Sequence, residues 1–320
     1  MHRWTDPAQT PAELRPSVVT LGNFDGVHRG HKAILARLTE EARDRSLPSV
    51  VVTFEPHPLA VLRPERAPDL ITPGALRDQL LAVAGVDGVL VLEFTKEFAA
   101  KTPEEFVEEV FVQALQAAVV VVGQDTRFGV RNSGDAATLA RLGEQHGFEV
   151  VVLADVGDGE RFSSSSVRRL LAEGDVAGAA RLLGRPHRVV GIVVHGHHRG
   201  RQLGCPTANL APNALGYVPA EGVYAGWLTR RDVEEGTVDR TMPCAISIGT
   251  NPTFDTDEAR TVEAYVLDRT DLDLYDESVM IEFVERIRPT VKFDSIDELL
   301  AAMAQDVDQT RSVLSRIVPS

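Results

Sequence analysis

A chain of 320 residues is long enough for two domains with separate hydrophobic cores. Its formal net charge of −14 disfavours a nucleic-acid-binding surface, which needs a basic face, but not ATP, which needs only local positive groups. Two cysteines fit a reducing compartment, and residues 1–6 and the apolar run 117–122 provide neither a signal peptide nor a membrane span. We therefore expect a cytoplasmic protein with no membrane or nucleic-acid partner.

Short apolar runs alternate with amphipathic helical segments in the first half of the chain. The runs that predict strands are 18–21, 49–54, 88–92, 118–122 and 149–153. The segment 102–105 begins a helix with an N-cap, a proline and a capping-box glutamate. This order predicts an α/β fold with a Rossmann-like parallel sheet wrapped by helices, whose ligands collect at the carboxyl ends of the strands.

The second half has a different pattern. Its strand-like runs, 188–194, 223–228, 243–248, 261–267 and 279–284, are separated by turn residues with little helical patterning. A capping box at 295–298 begins a final amphipathic helix. We predict a small antiparallel β-barrel followed by a C-terminal helix, and we place the two domains at 1–185 and 186–320.

The decapeptide at 22–31, GNFDGVHRGH, lies where the first predicted strand gives way to a helix. His28 and His31 fall on one side of the first helical turn. Gly26 and Gly30 let a polyphosphate approach the backbone, where the helix N-terminus offers unpaired N–H groups. A bare pair of histidines at this spacing also fits two surface histidines or half of a metal site. The strand-to-helix context favours binding of a nucleotide's phosphates and transfer of its nucleotidyl group.

Three later segments of the first half provide polar groups that fit the same function. His57 follows the second predicted strand, Asp125 follows the valine-rich strand, and Arg168 lies one turn inside a helix that starts in the serine run 163–166. Each has an ordinary alternative: a proline-shaped loop, a turn aspartate and serine N-caps. The planar fork of an arginine suits a phosphate, which favours the functional interpretation of Arg168.

A second candidate phosphate site lies in the segment 191–210, GIVVHGHHRGRQLGCPTANL. Thr207 and Asn209 share one face of an extended chain and provide hard oxygen ligands suited to Mg²⁺. A metal site at His195, His197, His198 and Cys205 is disfavoured, since their spacing matches no zinc pattern. Further along, alternation places Glu263 beside Tyr265, either as an exposed barrel carboxylate or as a base at a cavity.

The decapeptide resembles the HxGH signature of the nucleotidyltransferase superfamily, and its full form is similar to the bacterial bifunctional riboflavin kinase and FAD synthetase family. Other motifs of that family follow in order at 163–168, with Ser165 for its threonine, and at 200–209, 248–254 and 262–268. The chain departs from the family pattern at four positions that concern the substrate pockets more than the reaction type, namely Arg77, Thr126, His187 and Cys205.

The resemblance implies that the C-terminal domain phosphorylates riboflavin to FMN with ATP, and that the N-terminal domain adenylylates FMN to FAD with release of pyrophosphate. It implies Mg²⁺ at Thr207 and Asn209, and Glu263 as the general base of the kinase. The residues implied in catalysis of adenylyl transfer are His28, His31, Ser164 and Arg168. The residues implied in substrate binding are Gly22, Asn23, Phe24, Asp25, Gly30, His57, Asp125, Arg161, Ser165, Gly196, Arg201, Gly204, Asn251 and Phe254.

The sequence leaves two other hypotheses open. One is an enzyme with a single activity, in which one half is degenerate. The other is a flavin-binding sensor or carrier without turnover. Both predict the loss of phosphate-handling residues, whereas those of both halves are intact. We therefore expect small-molecule partners, namely riboflavin, FMN and ATP, and no motif specifies an oligomeric state.

Overall fold

The computed structural model describes residues 1–154, 162–195, 207–250, 260–317 and 319. The chain divides into two compact units, Met1–Ser163 and Ser164–Ser320. The boundary between the compact units therefore precedes the domain boundary that we predict at residue 185. The two helices between these boundaries, Ser164–Glu173 and Val176–Leu183, belong to the second unit. The extents of the functional domains stay a prediction.

The first unit is a six-stranded sheet in the order β1-β4-β3-β2-β5-β6, and every pairing in it is parallel. Its strands are β1 (His2–Trp4), β2 (Ser17–Leu21), β3 (Ser49–Glu55), β4 (Gly88–Glu93), β5 (Ala117–Gly123) and β6 (Glu149–Leu153). Its helices are α1 (Arg29–Arg45), α2 (Pro58–Leu62), α3 (Ala75–Val83), α4 (Pro103–Phe106), which continues as a π-helix over Val107–Ala114, and α5 (Ala136–His146). Short 3₁₀ turns cover Pro7–Gln9, Ala12–Leu14, Pro64–Arg66, Phe98–Ala100 and Val130–Asn132. The α/β prediction for the first half is confirmed.

The central strands are buried on both faces because helices cover both sides of the sheet. One core cluster joins Val18, Val51 and Val119 to the apolar face of α1. The alternate residues, such as Val19 and Val120, join the opposite cluster with the aromatic residues of α4 and its π-helical continuation. This explains why the strands appear in the sequence as continuous valine-rich runs, the pattern of a parallel sheet.

The sheet has a topological switch point beside β2. The chain passes from β2 to β3 and β4 on one side and returns to β5 on the other. In open α/β sheets, ligands bind outside the carboxyl ends of the strands at such a point. The segment 22–28 follows β2 and Asp125 follows β5, so these predicted site residues lie at the two strand ends that border the switch point.

The second unit begins with α6 (Ser164–Glu173) and α7 (Val176–Leu183). They precede a closed antiparallel barrel in the order β10-β11-β8-β7-β12-β9. The strands are β7 (His187–Val194), β8 (Thr207–Leu210), β9 (Gly222–Arg230), β10 (Thr241–Thr250), β11 (Arg260–Val266) and β12 (Ser278–Arg288), and α8 (Ile296–Leu314) follows. The predicted barrel and C-terminal helix are confirmed.

The barrel strands alternate between a closed interior and an outer face. On β11, Val262 and Ala264 are buried, whereas Glu263 and Tyr265 between and after them are only partly buried. The same alternation on β8 buries Ala208 and leaves its neighbours on the outer face. Thr207, Asn209, Glu263 and Tyr265 therefore lie on the outside of the barrel, and the residues that alternate with them on β8 and β11 are apolar and buried.

Candidate active sites

The turn between β2 and α1 has an unusual backbone conformation. Phe24, Gly26 and Val27 all have positive φ, at 50°, 84° and 40°. Such angles are rare for a bulky or β-branched residue and cost on the order of 1–3 kcal/mol each. The side chains of Phe24 and Val27 are both buried, and their packing offsets this cost. The turn is thus held in one shape before any ligand arrives.

Thr72, from a distant part of the chain, fastens this turn. The N–H of Gly26 donates to Thr72 Oγ1 at 2.7 Å, and the N–H of Thr72 donates to Asp25 Oδ1 at 2.9 Å. Asp25 is buried, so part of its role in the structure is to hold the turn. The sequence predicted Asp25 and missed Thr72, which lies 47 residues away and belongs to no recognisable motif.

His28 is both the N-cap of α1 and half of a stacked pair. Its Nδ1 accepts a hydrogen bond from the N–H of His31 at 3.3 Å, and the two rings stack with centroids 3.7 Å apart. Because Nδ1 accepts, the neutral ring carries its proton on Nε2 and offers an N–H donor there. Burial, together with the neighbouring His28 ring, holds the pKa of His31 well below its ordinary value.

Gly30 permits this arrangement because a side chain at position 30 would crowd the ring of His28. A Cβ at Gly30 would lie 3.2 Å from Cε1 and Nδ1 of the His28 ring and 3.4 Å from the carbonyl oxygen of Phe162. The guanidinium of Arg29 lies 5.4 Å from the centroid of the Phe162 ring. The segment just before α6 therefore packs against the first turn of α1.

Asn23 and His57 meet at the ends of β2 and β3. The amide nitrogen of Asn23 is 3.4 Å from His57 Nε2, and His57 Nδ1 accepts from the N–H of Leu59 at 3.2 Å. Since Nδ1 accepts, neutral His57 carries its proton on Nε2, and Asn23 is better assigned with its amide oxygen facing that proton. At the end of β5, Asp125 is exposed and its Oδ1 folds back over Gly123, within 3.1 Å of where a Cβ would lie.

Ser164, Ser165 and Arg168 lie in the first turns of α6, in the second compact unit. Ser164 and Arg168 are partly buried and Ser165 is exposed. Six further predicted binding residues lie outside the described residues: Arg161, Gly196, Arg201, Gly204, Asn251 and Phe254. The same is true of His197, His198 and Cys205, whereas His195 is described and its ring lies 3.9 Å from that of Tyr275.

The predicted kinase residues come together on the outer face of the barrel. Glu263 is the cross-strand partner of Asn209 on one side and of Ser247 on the other, and Tyr265 is the partner of Thr207. Directly opposite residues of an antiparallel pair have their Cβ atoms about 4.5–5.5 Å apart. The Asn209 amide nitrogen lies 3.1 Å from the carbonyl oxygen and 3.2 Å from Oγ1 of Thr207. Ser247 was missed because strand register cannot be inferred from the sequence of β10.

This group of side chains fits Mg²⁺ by its chemistry. A hydroxyl, an amide and a carboxylate are hard oxygen donors, and Mg²⁺ in phosphotransferases takes few protein ligands alongside substrate phosphates. Among the described residues, no cluster of three or more His, Cys, Asp or Glu side chains is arranged to hold a metal ion. By its chemistry, the pair of oxygen donors at Thr207 and Asn209 is a candidate Mg²⁺ site, with the Glu263 carboxylate opposite Asn209 in the same oxygen row.

His187, the first residue of β7, is buried beside Phe283 on the neighbouring strand β12 and is separate from this row. It is 1% exposed, and its Nε2 donates to the carbonyl oxygen of Tyr217 at 2.6 Å. Burial lowers the pKa of His187 to about 4, helped by the nearby charge of Arg185. The ring is neutral at pH 7 and has a structural role.

A histidine pair at the start of a helix beside a Rossmann-like switch point, together with an oxygen-rich row on a separate barrel, defines a two-unit phosphate-transferring enzyme. Comparisons with known proteins agree. Residues 10–167 match the family model described as FAD synthetase, and residues 183–314 match the one described as riboflavin kinase. The chain belongs to the family of bifunctional riboflavin kinase/FMN adenylyltransferases.

Curated relatives cover almost the whole chain. The bifunctional riboflavin kinase/FMN adenylyltransferase of Escherichia coli (strain K12) is 39% identical over 302 residues, covering 93% of this chain and 92% of the relative. The protein of the same name from Pseudomonas fluorescens is 40% identical over 304 residues, covering 94% of each. A Streptococcus pneumoniae crystal structure titled macrolide-efflux protein has 33% identity and a TM-score of 0.85, covering 97% of this chain and 98% of its own.

The chain is therefore an enzyme with two activities. It phosphorylates riboflavin to FMN and adenylylates FMN to FAD, using ATP in both reactions, with the FAD synthetase region N-terminal to the riboflavin kinase region. The sequence prediction of a bifunctional flavin enzyme is confirmed, and the hypotheses of a single activity or a flavin carrier are not supported. Within the described ranges, every helix is too short or too polar to cross a bilayer.

Proposed function

We propose that His28 and His31 act on the phosphates of ATP during FMN adenylylation. An FMN phosphate oxygen attacks the α-phosphorus, the bond from that phosphorus to the bridging oxygen breaks, and pyrophosphate leaves. The chain need supply no nucleophile, so alignment and hydrogen-bond donors account for catalysis. The observation that carries the proposal is the stacked pair itself: the cap fixes His28 Nδ1 as an acceptor and so leaves Nε2–H as the donor.

Ser164 and Arg168 are proposed to bind the same phosphates. A hydroxyl in the first turn of a helix and an arginine one turn further along present donors beside the positive end of the helix dipole. The match to FAD synthetase runs to residue 167, which includes the start of α6. We assign both residues to adenylyl transfer on this motif and its chemistry.

For the kinase, we propose that Glu263 accepts the proton of the riboflavin 5′-hydroxyl. That oxygen then attacks the γ-phosphorus of ATP, the bond to the bridging oxygen breaks, and ADP leaves. Thr207 and Asn209 would hold Mg²⁺, which when bound neutralises charge on the phosphates. Support comes from the register that sets the Glu263 carboxylate opposite Asn209, at the edge of that oxygen row.

Several finer assignments belong to the same proposal. Asn23 and His57 orient the substrates at the strand ends, and Asp125 borders the nucleotide. The remaining residues proposed for binding are Gly22, Phe24, Asp25, Gly30, Arg161, Ser165, Gly196, Arg201, Gly204, Asn251 and Phe254. We also propose a cytoplasmic location, small-molecule partners only, and functional domains at 1–185 and 186–320.

Two variants of the full-length protein test these roles. His28→Ala should lower FAD formation from supplied FMN at least a hundredfold and leave riboflavin phosphorylation unchanged. Glu263→Gln should do the reverse, since Gln keeps the shape of the side chain but accepts no proton. Chromatography of riboflavin, FMN and FAD after incubation with Mg²⁺ and ATP measures both activities. FAD formation at the parent rate by His28→Ala, or loss of both activities in either variant, would contradict the assignment.

A further inference from the structure

Arg286, on barrel strand β12, is held between two Glu-Gly peptide units that come from different parts of the chain. Its Nη1 donates to the carbonyl oxygen of Glu173 at 3.1 Å, and its Nη2 donates to the carbonyl oxygen of Glu221. The two glycines that follow these glutamates both have positive φ, at 81° for Gly174 and 155° for Gly222. Backbone from two loops thus surrounds one guanidinium.

The glycines are needed because the guanidinium lies directly against their backbone. A Cβ at Gly174 would lie 2.7 Å from Arg286 Nη1, and one at Gly222 would lie 2.9 Å from Nε. The guanidinium also lies 5.9 Å from the ring centroid of buried Tyr224. These contacts fix the Arg286 side chain in one position.

The Glu173 carbonyl is the last of α6, so Arg286 holds the C-terminal end of that helix. Carbonyl groups at a helix C-terminus lack partners within the helix and carry the negative end of its dipole, where a cation is favourable. A second contact reinforces the first, since the N–H of Ala220 donates to the carbonyl oxygen of Leu171 at 3.0 Å. The barrel therefore grips the last turn of α6 at two points.

The residues at the other end of α6 are the ones proposed above for the other activity. The match to FAD synthetase continues to residue 167, yet α6 lies in the same compact unit as the barrel. We propose that Arg286 is a positioning residue for FMN adenylylation. It fixes α6, the helix that carries Ser164 and Arg168, to the kinase barrel. This inference rests on the proposed function of those two residues.

Riboflavin phosphorylation should be insensitive to the same contact. In the barrel order, β12 and β9 lie across the ring from β8 and β11, which carry the oxygen row of the kinase. A movement of α6 therefore changes the position of Ser164 and Arg168 without changing the row at Thr207, Asn209 and Glu263. Misplacement of a phosphate-binding group by about 1 Å lowers rates by as much as a hundredfold.

The test uses full-length variants, each assayed for both activities. Arg286→Gln removes the charge and the two-pronged contact, and we expect kcat for FMN adenylylation to fall ten- to a hundredfold, with riboflavin phosphorylation within twofold of the parent. Arg286→Lys should recover part of the loss, because an ammonium still donates to one carbonyl. Circular dichroism and the thermal midpoint check that each variant is folded.

A matched pair of glycine variants separates this contact from backbone strain. Gly174→Ala displaces the guanidinium, whereas Gly147→Ala places the same methyl group at a helix C-cap with nearly the same φ, 83°, and no atom within 4 Å. We expect loss of adenylylation only in Gly174→Ala. Equal effects of the two variants, or parallel loss of both activities in Arg286→Gln, would overturn the proposal.

A double-mutant cycle tests the route through α6. If Arg286 acts by positioning Arg168, the losses in Arg286→Gln and Arg168→Ala will combine to less than their product. Full multiplicativity overturns the inference, as does loss in Arg168→Ala with none in Arg286→Gln. Unchanged adenylylation in both Ser164→Ala and Arg168→Ala refutes their proposed function instead, and with it the route from Arg286 through α6.

Discussion

The buried imidazole of His187 makes the barrel sensitive to acid, and a single substitution should remove that sensitivity. His187→Gln keeps a side-chain N–H that reaches the carbonyl oxygen of Tyr217 but has no titratable group. The folded state keeps the pKa of His187 at about 4, against 6.5 in the unfolded chain. Below pH 6.5 the unfolded chain therefore binds more protons, and the unfolding free energy falls as the pH falls.

The size of the effect follows from that difference in pKa. One pKa unit corresponds to about 1.4 kcal/mol. A folded-state pKa of about 4 lowers the unfolding free energy of the parent, relative to pH 8, by about 2 kcal/mol at pH 5 and about 3 kcal/mol at pH 4. His187→Gln lacks this contribution. The difference in unfolding free energy between the variant and the parent should therefore change by those amounts relative to pH 8.

Urea unfolding measured by tryptophan fluorescence provides the assay. The chain has two tryptophans, of which Trp227 lies on β9 of the barrel and Trp4 on the edge strand of the sheet. A Trp4→Phe background leaves Trp227 to report on the barrel in both proteins. Carboxylates that titrate in the same range affect both equally and cancel in the comparison. Stability curves that stay parallel from pH 8 to pH 4 would refute the reasoning.

Three further outcomes are expected. Gly30→Ala should lower FMN adenylylation at least tenfold and spare riboflavin phosphorylation, since its methyl group displaces the His28 ring; parent-level FAD formation would contradict the contact. Thr72→Val removes the hydroxyl that accepts from the Gly26 N–H, which should lower the unfolding free energy by about 1–3 kcal/mol in urea unfolding followed by Trp4, and an unchanged unfolding free energy would show that this hydrogen bond is dispensable. Thr207→Ala should raise the Mg²⁺ concentration for half-maximal riboflavin phosphorylation severalfold without changing FMN adenylylation, and an unchanged Mg²⁺ titration would exclude Thr207 as a ligand.

The sheet and the barrel were predictable because their signals are local. Runs such as 118–122 are long, β-branched and bounded by turn residues, and the strand-helix alternation fixes a parallel arrangement. The three-residue strand β1 and the four-residue strand β8 were not predicted as strands, since so few residues carry no clear period. Local pattern thus identifies the architecture and, among the strands, misses only the two shortest.

The site residues stay a prediction from the sequence, and their geometry could be anticipated only in part. The histidine spacing indicates which side chains share a turn, but nothing local indicates that Phe24 and Val27 take positive φ, because burial of their side chains offsets that strain. Thr72 and Ser247 reach their positions through tertiary contact and strand register, which no short motif records. The contacts of Arg286 could not be predicted for the same reason, since its partners lie 65 and 113 residues away in the sequence.

The two faces of the barrel strands are under different selective constraints, core packing on the inner face and site chemistry on the outer face. Residues that point inward, such as Val262 and Ala264, answer only to packing, so exchanges that conserve their summed volume cost little and leave the chemistry untouched. Residues that point outward, such as Glu263, contribute little to the core, and the chemistry proposed for the oxygen row constrains them instead. Inward-pointing and outward-pointing residues therefore alternate along a single strand. In diverging members of this family, the two sets of positions should be substituted at different rates.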